Sequence, residues 1–151
     1  MNTLYDIERV VPHRGTLLLI ERLLEWDEES AAVELQVPAD GPFNAEQGVP
    51  AWVGVEYMAQ TIAAWAGCRA RRAGGEPSIG FLLGTRRYVC AEPYFRPGAV
   101  LRVEARCELL GDNGLGMFAC RILEGGNELA SANVSVYEPA DAKAYLENDE
   151  A

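Results

Sequence analysis

The sequence predicts an α+β fold in which one curved antiparallel sheet wraps around a single long helix. Three observations predict it. Small and apolar residues crowd into one helical run, roughly Ala51 to Ala73. After that run the apolar period changes to about two and holds to residue 137. Two further strand-like runs precede it. Ala59, Ala63, Ala64, Ala66, Gly67 and Ala70 lie on all sides of the helix. Backbone can therefore approach it from every direction, which suits enclosure by a sheet.

Residues 17–25, LLLIERLLE, and 31–37, AAVELQV, predict two strands joined by a turn around DEES. In the second, Val33, Leu35 and Val37 alternate with Glu34 and Gln36. Residues 38–50, PADGPFNAEQGVP, predict a loop, because proline, glycine and aspartate crowd together. The helix follows. Arg69, Arg71 and Arg72 in its last turns suit the negative helix end, and Gly74-Gly75 stops it. Residues 79–90 predict a strand. In 100–109, Leu101, Val103, Ala105, Cys107 and Leu109 face one way, while Arg102, Glu104, Arg106 and Glu108 face the other. The turns GDNG and EGGN then set off strands over 117–123 and 128–137. The 151 residues suit one domain, 1–138, with an acidic tail, 139–151, in which a short terminal helix has room to form. A sheet of this size leaves open edges and one bare helix flank. Pairing of an edge strand across a twofold axis is expected, hence a dimer.

Composition narrows the function. The net charge is −10, which disfavours general nucleic-acid binding. Between Arg69 and Arg106, however, eight arginines stand against three acids, a local +5. Such a cluster suits a phosphate or an acidic partner protein, or it is simply a solvated surface. Residues 49–67 are apolar enough to raise the question of a membrane span, but Pro50, Glu56 and Gln60 inside them argue for a helix buried in protein. The N-terminal residues carry neither the basic start nor the apolar run of a secretory signal, so a cytoplasmic location is expected. Cys68, Cys90, Cys107 and Cys120 have no metal-like spacing and read as buried free thiols. With one histidine, His13, no zinc site is expected, and no cofactor motif is present.

The chemistry centres on Glu56, the one acid in the most apolar stretch. In an apolar pocket its pKa rises and it becomes a general acid or base near neutral pH. Alternatively it is a helix-start acid reached by solvent. Gln60, one turn on, either orients that carboxylate or a substrate carbonyl, or serves as a buried amide bonded to backbone. His13, in VVPHRG, is a base near neutral pH or a structural loop histidine. Arg14 beside it meets a phosphate or a nearby acid.

VVPHRGTLLLIERLLE resembles the opening of the FabZ-type 3-hydroxyacyl-acyl-carrier-protein dehydratases, with their Pro-His-Arg and apolar strand. VGVEYMAQTIAAWAG resembles that family's central helix with its Glu-x-Met-Ala-Gln signature. GFLLGTRRYVCAEPYFRPGAVLRVEARCEL resembles the strands that follow. The likeness spans roughly residues 5 to 138 and is nearest to the ApeP-type subfamily of aryl polyene pigment synthesis. It implies the hotdog fold, an acyl chain carried on a phosphopantetheine arm into a tunnel at a dimer interface, and a catalytic acid on the helix, here Glu56, with Gln60 beside it. The family's loop histidine has no counterpart, because Gly-His-Phe-Pro-Gly is replaced by Phe43-Asn44-Ala45-Glu46-Gln47-Gly48-Val49-Pro50. His13 is then the only imidazole able to complete a catalytic pair. The expected substrate-binding residues are Gln60, Trp52, Val53, Gly54, Phe81 and Leu82. Arg69, Arg71, Arg72, Arg86, Arg87 and Arg96 are the expected contacts for the carrier protein or the pantetheine phosphate.

Three activities fit these residues. One is a dehydratase acting on thioester-bound 3-hydroxyacyl chains. Another is an acyl-carrier-binding subunit that pairs with a second hotdog subunit supplying the loop histidine. The last is a hotdog thioesterase, acting on carrier-protein or coenzyme A thioesters, in which Glu56 activates water.

Overall fold

The computed structural model of the chain describes residues 2–77 and 80–139. Eight strands and one α-helix follow in order: β1 (Arg22–Trp26), β2 (Ser30–Gln36), β3 (Val49–Pro50), α1 (Gly54–Arg72), β4 (Phe81–Cys90), β5 (Tyr94–Phe95), β6 (Val100–Leu110), β7 (Leu115–Glu124) and β8 (Asn127–Tyr137). Six of the strands form one antiparallel sheet in the order β1-β2-β6-β7-β8-β4. The helix packs against its inner face. Val33, Leu35, Leu101, Val103, Phe118, Ile122 and Val134 meet Met58, Ile62 and Trp65 there, all buried. Trp65 sets its ring edge-on to Phe118 at 5.4 Å. This is an α+β architecture, with outward positions such as Arg102, Glu104 and Arg121 joined in ion pairs on the opposite face.

The helix is shorter than the sequence predicts, because Ala51–Val53 forms a 3₁₀ turn before α1 begins at Gly54. At the other end the Gly75 N–H donates to the Ala70 carbonyl at 2.8 Å and closes the last turn. In 100–109 the predicted alternation ends at a register shift between Cys107 and Leu109, which leaves Leu109 exposed, and the predicted strand 17–25 needs a larger correction. Only Arg22–Trp26 is strand, and Gly15–Leu17 is a 3₁₀ turn. The reason is a side chain. The Gln60 amide takes the Leu17 carbonyl and the Leu19 N–H, so this apolar segment bonds to the helix instead of to a neighbouring strand. The loop over 38–50 holds except at Val49–Pro50, which pairs with Tyr94–Phe95. That two-residue ladder is too short to leave a periodic signal in the sequence. The strand expected from 79 begins at Phe81, and Ile79 lies outside the described residues, as does the tail from 140 in which a terminal helix is expected.

Two irregularities position the site. Gly67 lies against the Val10 backbone so closely that any Cβ there would overlap the Val10 carbonyl. The N-terminal segment is thereby pressed onto the helix. On β4, Arg86 faces Asn133 and Val89 faces Ser131, so Arg87 and Tyr88 together oppose one residue of β8. Arg87 sits at φ 55°, the one non-glycine residue in that region among those described, at a cost of about 1 kcal/mol or more.

Candidate functional site

The site forms where the N-terminal loop crosses the start of α1. Arg14 fixes the loop from within. Its guanidinium donates to the carbonyls of Glu8 (2.6 Å), Val11 (2.8 Å) and His13 (2.6 Å), curling the backbone around itself. Arg14 is thus committed to backbone carbonyls and to the Glu8 carboxylate, 3.9 Å away. This leaves the His13 imidazole directed at the helix, with Nε2 3.7 Å from Glu56 Oε1. That separation is longer than a hydrogen bond but close enough for charge coupling.

Glu56 lies in the first turn of α1, where the helix dipole favours a carboxylate. Its side chain is 42% exposed in the single chain, so solvent reaches one side of it. The other side is held by Gln60, which is fully buried. Gln60 Nε2 donates to Glu56 Oε1 at 3.0 Å and to the Leu17 carbonyl at 2.8 Å, and its Oε1 accepts the Leu19 N–H at 2.9 Å. Gln60 therefore joins the loop, the helix and the carboxylate in one network. Both roles the sequence allows for it, orienting the acid and bonding the backbone, are met at once.

Burial lowers the His13 pKa below its usual value near 6.5. Glu56 opposes that shift and Arg14 adds to it. The ring is therefore neutral at pH 7. Its Nδ1 is buried and has no hydrogen-bond partner among the described residues. A neutral ring whose Nε2–H points toward the carboxylate carries its lone pair on Nδ1.

The other expected substrate-binding residues divide. Trp52, Val53 and Gly54 lie at the helix start, within four residues of Glu56. Trp52 is 65% exposed, whereas Val53 and Gly54 are buried. Phe81 and Leu82 open β4, opposite Tyr137 and Val136. They stand at the far end of the strand from Tyr88, on the order of 20 Å along an extended chain. Tyr88 is the β4 residue that reaches the helix start. The expected docking arginines fall in three places. Arg69 and Arg72 stack over Trp65 and Trp26 at 4.7 and 4.8 Å and pair with Glu28, while Arg71 donates to the Arg9 carbonyl. Arg96 binds Glu124 at 2.7 Å. Arg86 and Arg87 stand exposed at the β4 bulge with no ion pair among the described residues.

Sequence reasoning left out Tyr57, Leu18, Leu19 and Phe43. They help line a groove of about 560 Å³ beside the Gln60 network, between the N-terminal segment and the loop over 38–44. Tyr57 is buried against Phe95 at 5.6 Å, and burial pushes its hydroxyl up to about 12. The Glu56-Tyr57 adjacency was the available signal. Another groove, about 590 Å³, crosses the outer sheet face, but Arg102, Glu104 and Arg121 in its wall are paired with one another. The four cysteines are free. Cys68 and Cys120 are buried, with thiols pushed up to about 12, and Cys90 and Cys107 are half-buried. Among the described residues no helix is long and apolar enough to cross a membrane, and no group of three or more His, Cys, Asp or Glu is placed to hold a metal ion.

The sequence profile described as ApeP dehydratase matches residues 5–147 of the chain. The chain belongs to the ApeP-like dehydratase family. In keeping with that, it is 33% identical over 134 residues to a 3-hydroxyacyl-[acyl-carrier-protein] dehydratase FabZ of Thermus thermophilus, covering 86% of this chain and 92% of that one. Its structure is similar to the dehydratase heterocomplex ApeI:P of Xenorhabdus doucetiae, with a TM-score of 0.89 and 27% identity, covering 99% of this chain and 100% of the matched chain. A hypothetical thioesterase of Streptococcus pneumoniae solved with coenzyme A shares the fold at a TM-score of 0.59 and 14% identity, over 78% of this chain and 84% of that one. The ApeP-like chain thus has the hotdog fold, its helix enclosed by the sheet as the alternating strands require.

Proposed function

We propose that this chain is a dehydratase subunit that eliminates water from 3-hydroxyacyl chains carried as thioesters, with Glu56 as the group that moves the proton. The observation that carries the proposal is the three-residue arrangement at the helix start: Gln60 at 3.0 Å and His13 at 3.7 Å from the same carboxylate oxygen. The Glu56 carboxylate takes the proton from the carbon next to the thioester carbonyl. The electrons of that C–H bond form the new C=C bond as the C3–O bond breaks. Glu56, now protonated, gives its proton to the leaving hydroxyl, which departs as water. Gln60 holds the carboxylate in place, and the neutral His13 imidazole presents its Nε2–H dipole to the same oxygen. The apolar groove beside Tyr57 has room for an acyl chain. The substrate is attached to an acyl carrier protein, which the exposed Arg86 and Arg87 are the best placed of the expected arginines to meet. A cytoplasmic location keeps thiols such as Cys68 and Cys120 reduced.

A second reading is favoured by the edge of the sheet. β4 ends the sheet with a backbone edge that no other described strand pairs, and with Leu82, Leu83 and Val89 exposed. The similar ApeI:P assembly is a heterocomplex. In this reading a second hotdog subunit pairs along β4 and supplies the imidazole that the loop over Phe43–Pro50 does not.

The test is to incubate the pure chain with 3-hydroxyacyl carrier protein, alone and with a hotdog dehydratase partner, and to weigh the product. Loss of one water from the acyl chain, abolished by Glu56→Gln, is expected. Turnover by the chain alone selects the first reading, and turnover only with the partner selects the second. Release of free thiol without loss of water makes the chain a thioesterase and overturns both.

A further inference from the structure

We infer that Tyr88 is a positioning residue for the Glu56 site, aimed at the start of the helix by the β-bulge at Arg87. The inference rests on the proposed dehydratase reading for its catalytic consequence, but its structural part stands separately.

Just ahead of the bulge Thr85 is half-buried, opposite the buried Val134, and Arg86 is exposed; after it Tyr88 and Cys90 are half-buried, with Cys90 opposite the buried Ala130. Strict alternation would put Tyr88 on the outer face with Arg86. The extra residue, held at φ 55°, switches the parity and turns Tyr88 inward. Its hydroxyl then crosses to the helix and donates to the Ala51 carbonyl, 37 residues away in the chain. Ala51 is held from its other side as well, since its N–H donates to the Pro93 carbonyl at 2.9 Å. The same Ala51 carbonyl accepts the Gly54 N–H that opens α1. No side chain caps this turn or the helix that follows it. The anchor that the local sequence lacks therefore comes from β4.

Gly54 is shaped to this contact. A Cβ there would overlap the Tyr88 hydroxyl and crowd Ile122 Cδ1 at 3.0 Å and Phe95 Cζ at 3.1 Å. Burial also raises the Tyr88 pKa, so the hydroxyl remains a donor throughout the neutral range. The turn it pins, Ala51–Val53, runs directly into the helical turn that carries Glu56. Freeing that turn lets Glu56 shift against His13 and Gln60, and displacements of this kind in a catalytic group are costly to rate.

The experiment compares Tyr88→Phe, and a chain with 4-aminophenylalanine at position 88, with the parent. The analogue restores an N–H donor at the same place. Hydrogen exchange at the Gly54 amide and NMR titration of His13, the only histidine, are read in each. In Tyr88→Phe, Gly54 exchange is expected to quicken about tenfold and the His13 titration to move, with parent-like circular dichroism. The analogue is expected to restore both. Where the parent turns over substrate, kcat of Tyr88→Phe is expected to fall about tenfold with KM little changed. Parent-like exchange and titration in a folded Tyr88→Phe chain would overturn the inference. If the phenylalanine chain does not fold, the analogue decides alone: parent-like Gly54 exchange supports the inference, and faster exchange overturns it. A parent that eliminates no water in any arrangement removes the dehydratase reading, and the exchange and titration still decide the role of Tyr88.

Discussion

Gln60 holds Glu56 Oε1 at 3.0 Å with the same nitrogen that holds the Leu17 carbonyl at 2.8 Å. One buried amide thus sets both the orientation of the acid and the path of the segment that leads back to His13. Replacing it with leucine, a residue of similar size, leaves the Leu17 carbonyl and the Leu19 N–H without their partner. Gln60→Leu is expected to lower the unfolding free energy by about 2 kcal/mol. The measurement is a urea titration, with the midpoint moving down and the slope unchanged. A midpoint equal to that of the parent would mean that water replaces the amide and that Gln60 does not tie the loop.

The titration of His13 tests the electrostatics of the pair. Burial lowers its pKa, Glu56 pulls it up and Arg14 pushes it further down. Removing the carboxylate charge in Glu56→Gln therefore moves the pKa lower still. Below about 6.5 the unfolded chain takes up a proton that the folded chain resists. The stability linked to His13 is therefore fully present above that value and is lost as pH falls toward the folded pKa, below which it stays level. Glu56→Gln widens this window on its acid side. NMR of the one imidazole reads the change directly, and a rise in its pKa on losing the carboxylate would show that the two groups do not face each other in solution.

Much of the architecture is legible in the sequence because it rests on local repetition. Alanine and glycine on every side of 51–73 can be read as a helix to be enclosed, and the alternation in 100–109 can be read as a half-exposed strand. Glu56 and Gln60 are legible as a pair because i and i+4 share a helix face. What is not legible comes from tertiary partners. An apolar run such as 17–25 looks like strand throughout, and nothing local shows that a glutamine far along the chain claims part of its backbone. Arg69 to Arg96 are near one another in sequence, yet helix end, sheet edge and turn carry them apart. The bulge at Arg87 has no signature in the sequence, since arginine at positive φ is set by the strands around it.

Carrier docking can be separated from chemistry at the arginines. Arg69 and Arg72 are occupied by Glu28 and by the Trp65 and Trp26 rings, whereas Arg86 and Arg87 have no ion pair among the described residues. Arg86→Glu/Arg87→Glu is expected to weaken binding of acyl carrier protein about tenfold, with much less effect on turnover of a short thioester mimic. The loss is expected to shrink as salt is raised. Equal effects on carrier-bound and small substrates would place these arginines in the chemistry or the fold, not in docking.

The edge of the sheet gives the remaining prediction. Among the described strands β4 pairs with β8 on one side only, and Leu83 and Val89 are 55% and 64% exposed in the single chain. An extended apolar edge of this kind favours pairing with another strand, and a lysine on it is an effective block. Leu83→Lys and Val89→Lys are therefore expected to leave the chain folded, because neither position is packed in the single chain, while shifting it to monomer in analytical ultracentrifugation. The same substitutions are expected to prevent assembly with a hotdog partner. If the partner completes the site, water elimination is lost together with assembly; if Glu56 and His13 suffice within one chain, the monomer keeps it. A lysine chain that still associates as the parent does would show that the contact between subunits lies elsewhere than along β4.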